Sequence, residues 1–275
     1  MNVLQRNFFR LIRAGSFGHD EQVEPMSYFK WEKLFQLSLF HNVQDAIYQG
    51  MQRCRDQFSF DVNKEQWAKW RKTIQESQTK PEPTSEESDL LRGDRLTNPV
   101  LNGKLQDILD DEQTDTCTRL LLLTIIRIAR CILNEGLPLQ HLIELGLHLR
   151  QQYNKTNFLT LQQWLRSLHA EQIAVLEGTL LVQLFNFDIE EIPFLKGKTD
   201  KNAEQVAREL TDFESTRIQD FYFSQEADSI FVHSSNGTAL VDHIKRTARY
   251  FHYYPSETIT NFFASFAHSL SHIQE

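Results

Sequence analysis

"LLLLTIIRIARCIL", residues 120–133, is the most apolar stretch of the chain, and its reading decides the fold. Two structures compete for it, a membrane span and a helix inside a protein core. It is too short for the roughly 20 apolar residues that a bilayer crossing needs. Arg127 and Arg130 interrupt it, and a guanidinium in hydrocarbon is costly. The stretch is therefore expected to be a buried core helix over 116–134, with its arginines leaving at the polar edge.

Working outward, Gly136 is expected to end that helix and Pro138 to begin the next, "PLQHLIELGLHLRQQY". Asn157 or Thr160 opens "LTLQQWLRSLHA", "EQIAVLEGTLLVQLFNF" follows, and "EEIPFL" closes it. Residues 200–224 have a helical pattern. "SIFVHSSNG", 229–237, is the one place where a short strand competes, with its turn at Asn236-Gly237. The last stretch predicts two helices broken at Pro255, the second begun by Ser256 and Glu257.

Toward the N-terminus, "VLQRNFFRLIRAG" carries Leu4, Phe8, Leu11 and Ile12 on one helical face and is expected to stop at Gly15. Ser27 can cap "YFKWEKLFQLSLF", in which Phe29, Leu34, Leu37 and Phe40 recur at helical spacing. "VQDAIYQGMQRC" reads as a third helix. "NKEQWAKWRKTIQES", from Asn63, reads as a fourth, with Trp67, Trp70 and Ile74 on one face. Residues 77–89, "SQTKPEPTSEESD", have linker composition. Period 3.6 dominates and period 2 is nearly absent. The expectation is a mainly α globular bundle of roughly ten helices with at most a small β element. It divides into an N-terminal helical part, 1–76, a linker or loop, 77–100, and a C-terminal helical part, 101–275. The two helical parts can form one continuous domain.

The net charge is −8 and the isoelectric point about 5.7. That balance argues against a nucleic-acid surface spread over the chain, because phosphate contacts need a basic footprint. Cys54, Cys117 and Cys131 form no CxxC pair, which suits a reducing compartment, and no secretory h-region is evident. The expected location is the cytoplasm.

"AGSFGHDE", 14–21, has the Gly-Ser that can begin a nucleotidyltransferase site. Such a site also needs Asp-x-Asp, because residues two apart on a strand share a face and can hold Mg²⁺ together. Asp20 and Glu21 are adjacent, and no Asp-x-Asp occurs anywhere. Gly15-Ser16 therefore reads as a helix exit. Asp94, after Gly93, and Asp110 with Asp111, beside Glu112, are the candidate acids that remain. They read as a loop residue and a solvated helix end. "FLKGK", 194–198, has the Lys-Gly of some phosphate loops but not GxxxxGK[ST], and is assigned to a turn. His141 and His148 lie two turns apart on one face and read as core-edge histidines. His268 and His272 have i, i+4 spacing and read as exposed.

The chain resembles a bacterial nucleotidyltransferase-like family of the polymerase-beta type. Trp31, Leu34, Leu37, His41 and Val43 match its W-x-x-L-x-x-L-A-x-x-H-x-V phrase. "LLLLTIIRIARCILNEGLPLQHLIELGLHLR" is similar to its apolar helix, Gly and following helix, with Glu144 near the family's Asp. "FDIEEIPF" and "ARYFHYYPSETI" are similar to later phrases. The resemblance covers roughly 5–54 and 116–262. The family carries its catalytic α/β core between these helical parts. Here that interval, 55–115, is short, polar and without the motif, so no catalytic residue carries over. The resemblance implies a relative without its catalytic core, a non-catalytic binding or interaction module. Its expected partner is a protein, such as an active relative or an enzyme of surface-polysaccharide synthesis. Neither nucleic acid nor a membrane span is expected, and no cofactor. The alternatives are an atypical Mg²⁺-dependent nucleotidyltransferase using Asp94, Asp110 and Asp111, and a regulatory subunit that binds a nucleotide without turning it over.

Overall fold

The computed structural model describes residues 1–58, 60–79, 94–111, 115–134, 139–209 and 248–271. The fold is mainly α, as the periodicity predicts. Its helices are α1 (Val3–Phe17), α2 (Tyr28–Phe40), α3 (Gln44–Cys54), α4 (Lys64–Thr79), α5 (Pro99–Asp110) and α6 (Thr116–Asn134). They continue as α7 (Leu139–Gln152), α8 (Phe158–Ser167), α9 (Glu171–Phe185), α10 (Ala203–Glu209) and α11 (Pro255–Ser271). Among the described residues there is no strand. The 229–237 strand, the Gly136 and Pro138 boundaries, residues 210–224 and most of the 77–89 linker lie outside the described residues. Residues 77–79 belong to α4.

Local chemistry sets the helix ends. Asn2 accepts from the Gln5 amide while the Gln5 side chain accepts from the Asn2 amide, a reciprocal capping box at α1. Asn98 and Asn157 cap α5 and α8 through their side-chain oxygens alone, which accept from amides of the first turn. Gly15 does not end α1. The helix runs on to Phe17 and ends at Gly18, whose φ of 73° is the left-handed conformation that glycine adopts without steric cost.

Gly15 instead lets α1 cross α3 with the backbones in contact. A Cβ at Gly15 would sit 1.8 Å from the Ala46 carbonyl oxygen, and one at Gly50 would sit 2.1 Å from that of Leu11. Only glycine permits this approach. In α2 the buried face is Trp31, Leu34, Phe35, Leu37 and Ser38, whereas Phe29 is exposed. Of the expected stripe, Leu34 and Leu37 are fully buried and Phe40 packs against the core, but Phe29 is not part of it; Trp31 and Phe35 complete the face, packed against Phe60 and Trp70.

Residues 18–27 run back along α1, held by three arginines spaced along it. Arg13 grips Glu21 through Nε and Nη2. Arg6 makes a two-point contact with Glu24, and Arg10 adds a third bond to the same carboxylate. Asn7 bonds both the carbonyl and the amide of Glu24. The arginines hold the Glu24 carboxyl down at about 2.

The centre of the molecule is α6. Leu121, Leu122, Ile125, Ile126, Ile128 and Ala129 are fully buried, and one apolar cluster extends from Leu4 to Tyr254, joining both ends of the sequence. Arg127 reaches the polar edge as expected, 3.8 Å from Glu144. Arg130 does not. It is 2% exposed and donates from Nη1 to the Arg95 carbonyl at 2.6 Å. Burial lowers its pKa, opposed chiefly by Glu257. No helix among the described residues is long and apolar enough to cross a membrane.

Candidate functional site

A cleft of about 670 Å³ opens between the end of α8, the start of α9, the turn after Pro193 and the segment before α11. That volume lies within the range of small-molecule sites. The turn is built by "PFLKGK". Pro193–Leu195 form one turn of 3-10 helix, and Phe194 and Leu195 are buried. Lys196 and Gly197 then both take positive φ, 52° and 72°. A left-handed lysine costs roughly 1–2 kcal/mol, so the local structure must enforce it. It does so through the Lys196 amide on the Pro193 carbonyl and the Lys198 amide on the Leu195 carbonyl.

The result brings Lys196, Lys198 and Lys201 to the lining of the cleft, together with Arg166 and His252. Arg166 is partly engaged by Glu171 at 3.4 Å. The three lysines make no ion pair with any described residue. The one aspartate between them, Asp200, is taken by other groups. It accepts from the Tyr253 hydroxyl at 2.9 Å and the Asn202 amide at 2.7 Å, while its own amide donates to Thr179. Burial pushes the Tyr253 phenol up to about 12, so it donates at neutral pH. The cleft thus carries ammonium groups that have no ion-pair partner among the described residues, on a turn that Asp200 and Tyr253 help to position.

The candidate acids lie elsewhere. Asp94 is half-buried, and its carbonyl accepts from Gln106 of α5 at 2.5 Å. Its Oδ1 is buried without a hydrogen-bond partner among the described residues. Asp110 is the last residue of α5 and Asp111 its cap, both exposed, one turn or more beyond Gln106. The described chain therefore brings Asp94 beside α5 and leaves the other two at its solvated end. Glu112 lies outside the described residues. No group of three or more His, Cys, Asp or Glu side chains among the described residues is placed to hold a metal ion. His141 bonds Glu144 at 3.1 Å, and burial lowers the pKa of His148. The His268 and His272 side chains lie outside the described residues.

Near Asp94 lies a buried polar node that the sequence did not announce. Glu257, 1% exposed, accepts from the Thr97 amide and hydroxyl, both at 2.7 Å, and from the Asn98 amide at 3.0 Å. It clasps the start of α11 to the start of α5, with Arg130 and Tyr254 beside it. Glu177 of α9 is a second surprise, a fully buried carboxyl. A glutamate in the helical pattern "EQIAVLEGTLL" carries no signal that it faces inward. For the cleft there was a signal, the Lys-Gly-Lys of "FLKGK", but its ligand face depends on residues far away in sequence.

The chain matches no family model, no curated protein and no solved structure. The nucleotidyltransferase-like resemblance rests on the quoted helical phrases alone.

Proposed function

We propose that this protein is a non-catalytic helical binding module that holds an anionic ligand in the Lys196–Lys201 cleft. The observation that carries the reading is the set of three lysines, without an ion pair among the described residues, that line one ligand-sized cleft in a chain of net charge −8. In an acidic protein, an isolated basic concavity focuses field and draws anions to it. Lys196 supports the same reading, since strained backbone at a cleft is a recurrent mark of a functional position. A helical remnant of a nucleotidyltransferase-like protein would act in this way, by binding alone, and a partner protein would read the occupied state. Asp94, Asp110 and Asp111 are on other elements and do not enter this cleft.

The test is equilibrium binding of inorganic phosphate and sulfate, followed calorimetrically at two salt concentrations, for the protein and for its Lys198→Glu variant. Binding that weakens with salt and is lost in the variant is the expected result. No anion binding in either protein rejects the reading. Incubation with labelled NTPs and Mg²⁺ tests the catalytic alternative. Labelled product that disappears in Asp94→Ala or Asp110→Ala would replace the binding-module reading.

A further inference from the structure

We infer that the ligand of the cleft is a compact polyphosphate or phosphate ester, a small molecule with its charge concentrated in a few atoms; the inference rests on reading the cleft as an anion site. Three observations point there. The positive charge is local. Residues 196–201 hold three lysines against one aspartate, and that aspartate is bound by Tyr253 and Asn202. The charged groups of the lining are Arg166, Lys196, Lys198 and Lys201 against Glu171 and Asp200, with Glu171 paired to Arg166, whereas the chain as a whole carries a net charge of −8.

At physiological salt, charges are screened beyond about 8 Å. A ligand no larger than the cleft feels mainly the lysines. An extended polyanion, such as an RNA strand or an acidic peptide, must run beyond the lysines over a chain that is acidic on balance and be repelled there. An anionic membrane meets the same repulsion over a wider face. Compactness is thus selected by the charge map.

The donor chemistry agrees. Lysine ammonium groups act as point charges with three donors each, which suits phosphate oxygens and does not require the planar fork that arginine offers a carboxylate. The Thr199 residue on the same lining adds a neutral hydroxyl donor. The lining also includes the apolar side chains Leu165, Val175, Phe194 and Leu195. They can take the organic part of a phosphate ester while the lysines hold the phosphates.

The experiment uses the full chain and four probes: inorganic tripolyphosphate, hexaglutamate, a short single-stranded RNA, and phosphatidylcholine vesicles containing phosphatidylserine. Each is titrated against the protein and against the triple variant Lys196→Gln/Lys198→Gln/Lys201→Gln. The three lysines are exposed, so the variant should fold, and its thermal midpoint and far-UV spectrum verify this. Tripolyphosphate is expected to bind at least about tenfold more tightly than hexaglutamate and to lose about tenfold or more in the variant. Hexaglutamate, RNA or vesicles binding as tightly as tripolyphosphate would overturn compactness while leaving an anion site in place. Tripolyphosphate that binds equally to the variant overturns the assignment to this cleft. Failure of every probe, including the phosphate and sulfate titrations above, overturns the anion reading itself.

Discussion

Replacing Glu177 is expected to make this protein more stable. Its side chain is fully buried in α9, and neither carboxyl oxygen has a hydrogen-bond partner among the described residues. Burial alone holds its pKa well above the ordinary 4.5. The native state therefore keeps the proton at a pH where the unfolded chain has released it. The native state binds more protons than the unfolded one, so stability falls as pH rises above 4.5. The loss continues until the native carboxyl itself titrates, at about 1.4 kcal/mol per pH unit. Below 4.5 both states are protonated and this loss is absent. A separate cost, about 1–3 kcal/mol, comes from burying polar oxygens without partners. Glu177→Gln removes the first cost and keeps the second, while Glu177→Leu removes both. Urea unfolding at pH 5 and pH 7, followed by tryptophan fluorescence, separates them. The leucine variant should exceed the parent by about 2 kcal/mol or more at pH 7, with a smaller gain at pH 5. The glutamine variant should gain at pH 7 and show a flatter pH dependence. A leucine variant less stable than the parent at both pH values, with an unchanged urea slope, would refute the reasoning and mean that the carboxyl has a partner holding it.

Three more outcomes follow from the packing. Gly15→Ala or Gly50→Ala puts a methyl group into a backbone carbonyl across the α1–α3 crossing, and should cost about 3 kcal/mol or more in a urea titration. Glu257→Ala removes the acceptor of three hydrogen bonds, should cost about 3 kcal/mol, and should speed amide exchange at Thr97 and Asn98 ahead of α5 itself. His19 accepts from Arg150 through Nε2 at 3.1 Å, and burial followed by Arg150 lowers its pKa. The native state therefore resists a proton that the unfolded chain accepts, so stability should fall as pH drops below 6.5. A His19→Gln variant should show a shallower fall over the same thermal midpoints measured from pH 7 to pH 5.

The helices were legible because their apolar faces repeat at 3.6 residues and their caps are local; "LLLLTIIRIARCIL" and Asn157 both behave as their neighbours in sequence dictate. What the sequence hid depends on distant partners. Gly15 looked like a helix exit, since a glycine that ends a helix and one that admits another helix are the same letter. Only α3, with Gly50, tells them apart. Arg130 looked like a polar-edge residue because nothing local announces that the Arg95 carbonyl will stand over it. The cleft was half visible. "FLKGK" forms the turn its glycine predicts, but Lys201, Arg166 and His252 join it only once α8, α9 and the approach to α11 converge.

The first helix of the chain also has a waiting time built into it. Arg13 donates to the Leu184 carbonyl 171 residues later, and Phe9 and Phe17 lie against Phe185, with Phe17 also against Phe187. During synthesis at about 5–20 residues per second, those rings emerge from the ribosome roughly ten seconds or more before their partners exist. The nascent chain must carry uncovered phenylalanines through that interval. A chain truncated before residue 184 would keep them uncovered for good, and is the form on which a holding chaperone would be found.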